Sequence, residues 1–191
     1  MPFPFTAYRR TDCQWNMERP HLHGEVELLF PLTDGDSIFI DSVSYPLRRG
    51  ELFVMDAGVP HRSRAHNRQE DHRCILHFPP ETARALGVTD LSRLLSAKGC
   101  RATLNEEEVH LCLRLFDRLT SEADTQADVL RRAAAFAELL ALVVEKWSSS
   151  AICSNVRAEL RRRSFACRVT ARFIQSLAAV PLASKTRRLR Y

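Results

Sequence analysis

The 191-residue chain has no stretch of 18 or more apolar residues, so no membrane-spanning helix is expected. Its opening, MPFPFTAYRRTD, has no apolar core of the signal-peptide kind, and a cytoplasmic protein is expected. None of the six cysteines (Cys13, Cys74, Cys100, Cys112, Cys153 and Cys167) stands in a C-x-x-C pair. Thiols scattered in this way read as small buried residues or surface groups, not as a disulfide framework or a zinc knuckle. Also missing are a phosphate-cradling glycine loop, a dinucleotide fingerprint and a Ser/His/Asp nucleophile arrangement. Nothing therefore announces a nucleotide enzyme or a hydrolase, and no cofactor is expected. There are no internal repeats.

The composition is that of a folded domain: 45% hydrophobic and 27% charged. The net charge of +5 is unevenly spread. Residues 147–191 hold ten Lys/Arg against one acid, Glu159, while the first 146 residues hold 18 bases and 22 acids. The body is mildly acidic and the tail strongly basic. Arg157, Arg161, Arg162 and Arg163 can touch phosphate non-specifically, or the tail is simply a solvated end.

Residues 1–80 read as short strands broken by turn residues, the pattern of a sandwich or barrel. Glu27–Phe30 runs through Asp34-Gly35-Asp36 into Ser37–Ile40, a hairpin signal. Asp41-Ser42 and Arg49-Gly50 mark further turns, before Val43–Tyr45 and Glu51–Met55. Arg73–Phe78 is the last strand, ended by Pro79-Pro80, since proline cannot donate to a ladder. After Pro80 the periodicity becomes helical. Short helices are expected over 81–86 and from about Asp90 to near Gly99. Asn105 with Glu108 three positions on makes a capping-box start. A stripe of Val109, Cys112, Leu113, Phe116 and Leu119 follows it. A second long helix spans about Ala127 to Trp147, with Leu130, Ala133, Ala134, Ala137, Leu140, Ala141 and Val144 on one side. Phe136, Leu139 and Val143 line another side. Two apolar faces imply burial on two sides, so these three residues are expected to face a second copy of the chain.

The segment with chemistry is His21-Leu22-His23-Gly24-Glu25-Val26-Glu27, followed much later by Pro60-His61. Imidazoles and a carboxylate are the donor set of zinc, manganese, iron or nickel sites. His21, His23 and Glu27 share parity along a strand. A straight strand, however, sets Glu27 about 13 Å beyond His23, at roughly 3.3 Å per residue. A shared site therefore needs a bend, cheapest at Gly24, and His61 must arrive on a neighbouring strand. Three roles stay open for these four side chains: metal ligands, a polar lining that hydrogen-bonds an effector, or histidines satisfied by the backbone. His66, His72, His77 and His110 read as surface or strand residues.

The spacing H-x-H-x-x-x-E with a later P-H resembles the two cupin motifs, with His21, His23 and Glu27 in the first and His61 in the second. Asn67 lies near the position where the second motif often has Asn. A wider ordered series is more specific. It comprises Arg19-Pro20-His21-Leu22-His23, Glu27–Phe30 to Gly35, Tyr45-Pro46-Leu47 with Gly50-Glu51-Leu52, Pro60-His61, and Leu76-His77-Phe78-Pro79-Pro80-Glu81. Over residues 1–147 this resembles the sensor domain of AraC-type transcription regulators. The resemblance implies a mainly β fold, a cupin-like jelly-roll barrel followed by helices that can pair subunits. It implies a small-molecule effector bound by His21, His23, Glu27 and His61, a homodimer, and DNA reading by a C-terminal domain of two helix-turn-helix units. That domain is not recognisable here.

The expected organisation is therefore a sensor barrel over 1–80, a helical extension over 81–147, and a basic tail over 148–191 that is poorly ordered or frame-shifted. On this reading the chain is not an enzyme, and its partners are an effector and a second copy, with no membrane. The competing reading is a metal-dependent cupin enzyme, a dioxygenase or isomerase, with the same four residues as ligands.

Overall fold

The computed structural model describes residues 4–11, 17–64 and 72–148. Among these residues, eight strands and four helices follow one another: β1 (Thr6–Arg10), β2 (Val26–Pro31), β3 (Ser37–Ile40), β4 (Val43–Pro46), β5 (Glu51–Met55), β6 (His61–Arg64), β7 (Arg73–Phe78), α1 (Pro80–Ala85), α2 (Leu91–Lys98), β8 (Arg101–Thr103), α3 (Glu106–Thr120) and α4 (Gln126–Ser148). One sheet has the order β1-β7-β2-β5-β8, the other β4-β3-β6. All pairings are antiparallel. The fold is mainly β and cupin-like, with the long helices at its C-terminal end, as expected.

Every residue of β2 is buried. The alternation of a strand explains how both of its faces are covered. Val26, Leu28 and Phe30 join Leu52, Val54, Cys74, Leu76 and Phe78 in a core shared with all four helices. Leu29 faces the other way, with Phe53 and Met55 of β5, onto Ile38, Ile40 and Leu47 beneath the smaller sheet. The five-stranded sheet is thus sandwiched between the helices and the barrel interior. Glu27 shares the inward parity of Leu29, and so is carried into the barrel.

The hairpin expected across Asp34-Gly35-Asp36 does not form. β2 already has β7 on one edge and β5 on the other, so it offers no free edge to β3. The turn instead carries the chain from one sheet to the other. The Leu47 N–H donates to the Asp36 carbonyl at 2.8 Å, which ties this corner to the segment after β4. The β3–β4 connection is a true two-residue hairpin, with Asp41 (φ 42°) and Ser42 (φ 75°) in the left-handed region that such turns require.

Two strands lie where none was expected. Thr6–Arg10 is the edge strand β1, paired residue by residue with β7. β8 extends the same sheet beyond β5, from the far side of α1 and α2. The capping box of α3 is present: the Glu108 N–H donates to Asn105 Oδ1 (2.9 Å), and the Asn105 N–H donates to Glu108 Oε2 (2.8 Å). Lys146 Nζ, near the end of α4, reaches the same carboxylate at 2.7 Å, and Trp147 Nε1 donates to the Gly99 carbonyl at 2.7 Å. These contacts clamp α4 across α3 and α2.

Phe136, Leu139 and Val143 are not on an outer face. They are 1%, 0% and 0% exposed inside the core of the chain itself. Phe136 stacks on Phe5 (centroids 5.1 Å apart) and meets Phe78 edge-on at 5.1 Å. The sequence pattern identified a second apolar face correctly, but the sheet covers it. Among the described residues no helix is long and apolar enough to cross a membrane. His66, Asn67 and the tail from Ser149 onward, with its arginines, lie outside the described residues.

Candidate functional site

Two cross-strand rows build the site. On the larger sheet, Met55, Glu27 and His77 lie level across β5, β2 and β7, with Thr6 of β1 beyond them. On the smaller sheet, Val43, Ile40 and His61 lie level across β4, β3 and β6. His21 extends that row by pairing with His61. The His21 N–H donates to the His61 carbonyl at 3.0 Å, and the reverse bond is 2.9 Å. Because residues level across a sheet point to the same face, the two rows confront each other inside the barrel. The chain bends at Gly24-Glu25, which returns His23 to the site, as a shared site requires. Glycine is not needed there: Gly24 has no positive φ, and a Cβ on it would meet nothing within 4 Å.

The outcome is a cluster centred on Glu27, whose residue is only 6% exposed. Three imidazole nitrogens approach the same oxygen, Glu27 Oε2: His77 Nε2 at 2.8 Å, His61 Nε2 at 3.1 Å and His23 Nε2 at 3.2 Å. His21 packs against His61, with ring centroids 4.4 Å apart. All four expected residues, His21, His23, Glu27 and His61, are brought together. One ligand atom from each lies within 4.8 Å of the others.

His77 was missed by the sequence reading. The available signal was a histidine between Leu76 and Phe78 in an apolar strand, but only the β2–β7 register reveals that it lies level with Glu27. His72 is partly buried and His110 is exposed, both away from the cluster. Of the aromatics, Tyr45 and Phe53 meet in the barrel interior at 6.1 Å, while Phe39 lies under the Arg62 guanidinium.

Proton positions follow from what each nitrogen faces. His23 Nδ1 lies 3.0 Å from the Glu25 carbonyl and His61 Nδ1 2.8 Å from the Val59 carbonyl. A carbonyl only accepts, so both Nδ1 atoms carry hydrogen and donate. The Nε2 atoms then face Glu27 either as lone pairs or as the second N–H of an imidazolium. Burial pushes the Glu27 carboxyl up, but hydrogen bonds from His61 and His77 outweigh it and hold the group well below the usual carboxylate range. Burial lowers His61, while hydrogen bonds to Glu27 and to the Val59 carbonyl raise it further, for a net rise. His21 is lowered, by burial first and by the neighbouring His61 second. Tyr8, beside His77, is raised by burial and by the Glu27 charge.

The residues fit a divalent cation. The Nδ1 donations to carbonyls fix His23 and His61 in the tautomer that turns Nε2 inward, as metal-bound histidines commonly are. His21 Nδ1 is buried with no hydrogen-bond partner. The set His21, His23, Glu27 and His61 would hold such an ion. It also has the donors and acceptors to bind hydroxyl or carboxyl groups of a small molecule.

No protein-family model matches the chain, and no curated protein matches it. Solved structures do. An apo point variant of ToxT from Vibrio cholerae aligns with a TM-score of 0.50 at 10% identity, covering 85% of this chain and 65% of that one. A second ToxT crystal form gives 0.48 at 10% identity, covering 83% and 62%. Salicylate 1,2-dioxygenase from Pseudoaminobacter salicylatoxidans gives 0.38 at 15% identity, covering 46% and 25%. The chain thus spans less than two thirds of the length of each of these three. At these identities the ToxT likeness establishes the fold and nothing finer.

Proposed function

We propose that this chain is the effector-sensing and dimerisation part of an AraC-type transcription regulator, with the cluster around Glu27 as the polar floor of its small-molecule site. The observation that carries this reading is the convergence of His23, His61 and His77 on one buried carboxylate, with His21 packed against His61. Imidazoles and a carboxylate offer fixed donors and acceptors, and Ile40 and Met55 supply an apolar flank level with them. Such a mix suits a small amphipathic ligand.

β1 offers a route from site to helices. Its inward face carries Thr6, level with His77, and Tyr8, whose ring lies 5.8 Å from that of His77. Its other face carries Arg9, paired with Asp117 of α3, and Phe5 just before the strand stacks on Phe136 of α4. A ligand with different affinity for two arrangements of β1 shifts the balance between them, and with it the seating of the helices. In an intact cytoplasmic regulator that shift would reach the DNA-binding units. The present chain is proposed to bind effector without being an enzyme.

The test is a thermal-shift screen of small organic molecules against wild type, Glu27→Gln and His61→Ala. A ligand that stabilises wild type and neither variant supports the assignment. One that stabilises all three equally places the effector elsewhere.

The tautomers of His23 and His61, together with the unpartnered His21 Nδ1, favour a second reading, in which His21, His23, Glu27 and His61 hold a divalent metal. Bound there, iron, manganese or nickel would supply a Lewis acid or redox centre, as in a cupin dioxygenase or isomerase. Elemental analysis of purified protein separates the cases. Near-stoichiometric metal, lost in His61→Ala, supports a metal site, and a metal-free, well-folded protein counts against it.

A further inference from the structure

We propose that His77 is a positioning residue of this cluster: its Nε2–H holds the Glu27 oxygen around which the other imidazoles gather. The proposal rests on the metal reading above. Glu27 has two cross-strand neighbours, and they are unequal. Met55 on one side has no hydrogen to donate, whereas His77 on the other reaches Oε2 at 2.8 Å, the shortest of the three imidazole contacts.

The three contacts also differ in kind. His23 and His61 use Nδ1–H on the Glu25 and Val59 carbonyls, so in neutral form each turns a lone pair toward Glu27. Among the described residues no carbonyl claims His77 Nδ1 in the same way. A neutral His77 can therefore carry its hydrogen on Nε2 and donate it to the carboxylate. His77 is the one of the three that binds Glu27 without an added charge.

His77 also stands apart from the ligand set. The atoms of His21, His23, Glu27 and His61 gather within 4.8 Å, and His77 is not among them. Its ring is wedged between Tyr8 (5.8 Å) and the edge of His23 (5.1 Å), which limits its rotation. A ligating carboxylate is itself commonly hydrogen-bonded, and loss of such an outer partner weakens metal binding about 10–100-fold.

The experiment titrates cobalt(II) into the metal-free full chain and follows the visible absorption that reports coordination geometry. Wild type, His77→Phe and His77→Gln are compared. Phe keeps a ring against Tyr8 and His23 but has no donor, while Gln restores an N–H. His77→Phe is expected to bind cobalt about 10–100-fold more weakly with an altered spectrum. His77→Gln is expected to recover most of the affinity and the wild-type spectrum. Should the Phe variant fail to fold, wild-type-like binding by Gln against weak binding by His77→Leu carries the comparison. A Phe variant matching wild type in affinity and spectrum overturns the role of His77 while leaving the metal site standing. A Gln variant no better than Phe overturns it too, because the donor is then irrelevant. A wild type that takes up no cobalt removes the metal reading, and this proposal with it.

Discussion

At the scale of single residues, Glu27 Oε2 sits among three imidazole nitrogens while only 6% of its residue is exposed. An anion in that position requires positive charge nearby, supplied by protons or by a cation. The pH dependence of the metal-free protein follows. The depressed Glu27 adds stability that is complete above its unfolded value of 4.5 and is lost as pH falls through the folded value. The raised His61 adds stability that is complete below 6.5 and is lost as pH rises through its folded value. His21, lowered, works against folding as it protonates below 6.5. The difference in melting temperature between wild type and His61→Ala in chelator-treated buffer is therefore expected to be larger at pH 6 than at pH 8.5. A pH-independent difference would show that no charged His61–Glu27 pair forms. Gly24→Ala is expected to fold normally and to gain about 0.4–1 kcal/mol, because the bend needs no positive φ and has room for a Cβ. A loss of stability in urea unfolding would contradict this. The sequence made four of the five cluster residues legible, since the two motifs name them. His77 was not legible, because parity within β7 cannot reveal which residue of β2 it meets.

At the scale of elements, helices were read well wherever local chemistry sets their ends. Asn105 and Glu108 cap α3 reciprocally, and Gly99 closes α2 with φ 79°. Strand partners were read poorly at Asp34-Gly35-Asp36, since turn residues report a reversal and not which edge is free. α4 shows the same limit. Its second apolar face was visible in the spacing of Phe136, Leu139 and Val143, but the occupant of that face was not. The occupant is the chain's own sheet, with Phe5 and Phe78 against Phe136. Phe136→Ala is accordingly expected to cost about 3–5 kcal/mol in equilibrium urea unfolding, as a core cavity does. A loss below about 1 kcal/mol, together with a change in oligomeric state, would return this residue to a subunit interface.

At the scale of the whole molecule, the helices cover one face of the larger sheet, so the pairing proposed above, if built on α4, uses the outer side of that helix. Leu130 of α4, 40% exposed, is the large apolar side chain that this helix leaves outside. A dimer built on α4 should therefore weaken with Leu130→Glu, measured as mass by light scattering across a dilution series. A variant that stays as dimeric as wild type moves the interface off α4.

By itself the sequence determined the alternation that makes strands, the capping that starts α3, and the donor types at His21, His23, Glu27 and His61, because each is written in a few consecutive residues or a fixed motif. Only the tertiary structure decided the rest: that β1 is a strand, that β2 and β3 part into different sheets, that α4 turns Phe136 inward, and that His77 completes the ring around Glu27. Those outcomes depend on which strand edges and apolar faces remain free once the others have paired, and that competition spans the whole chain.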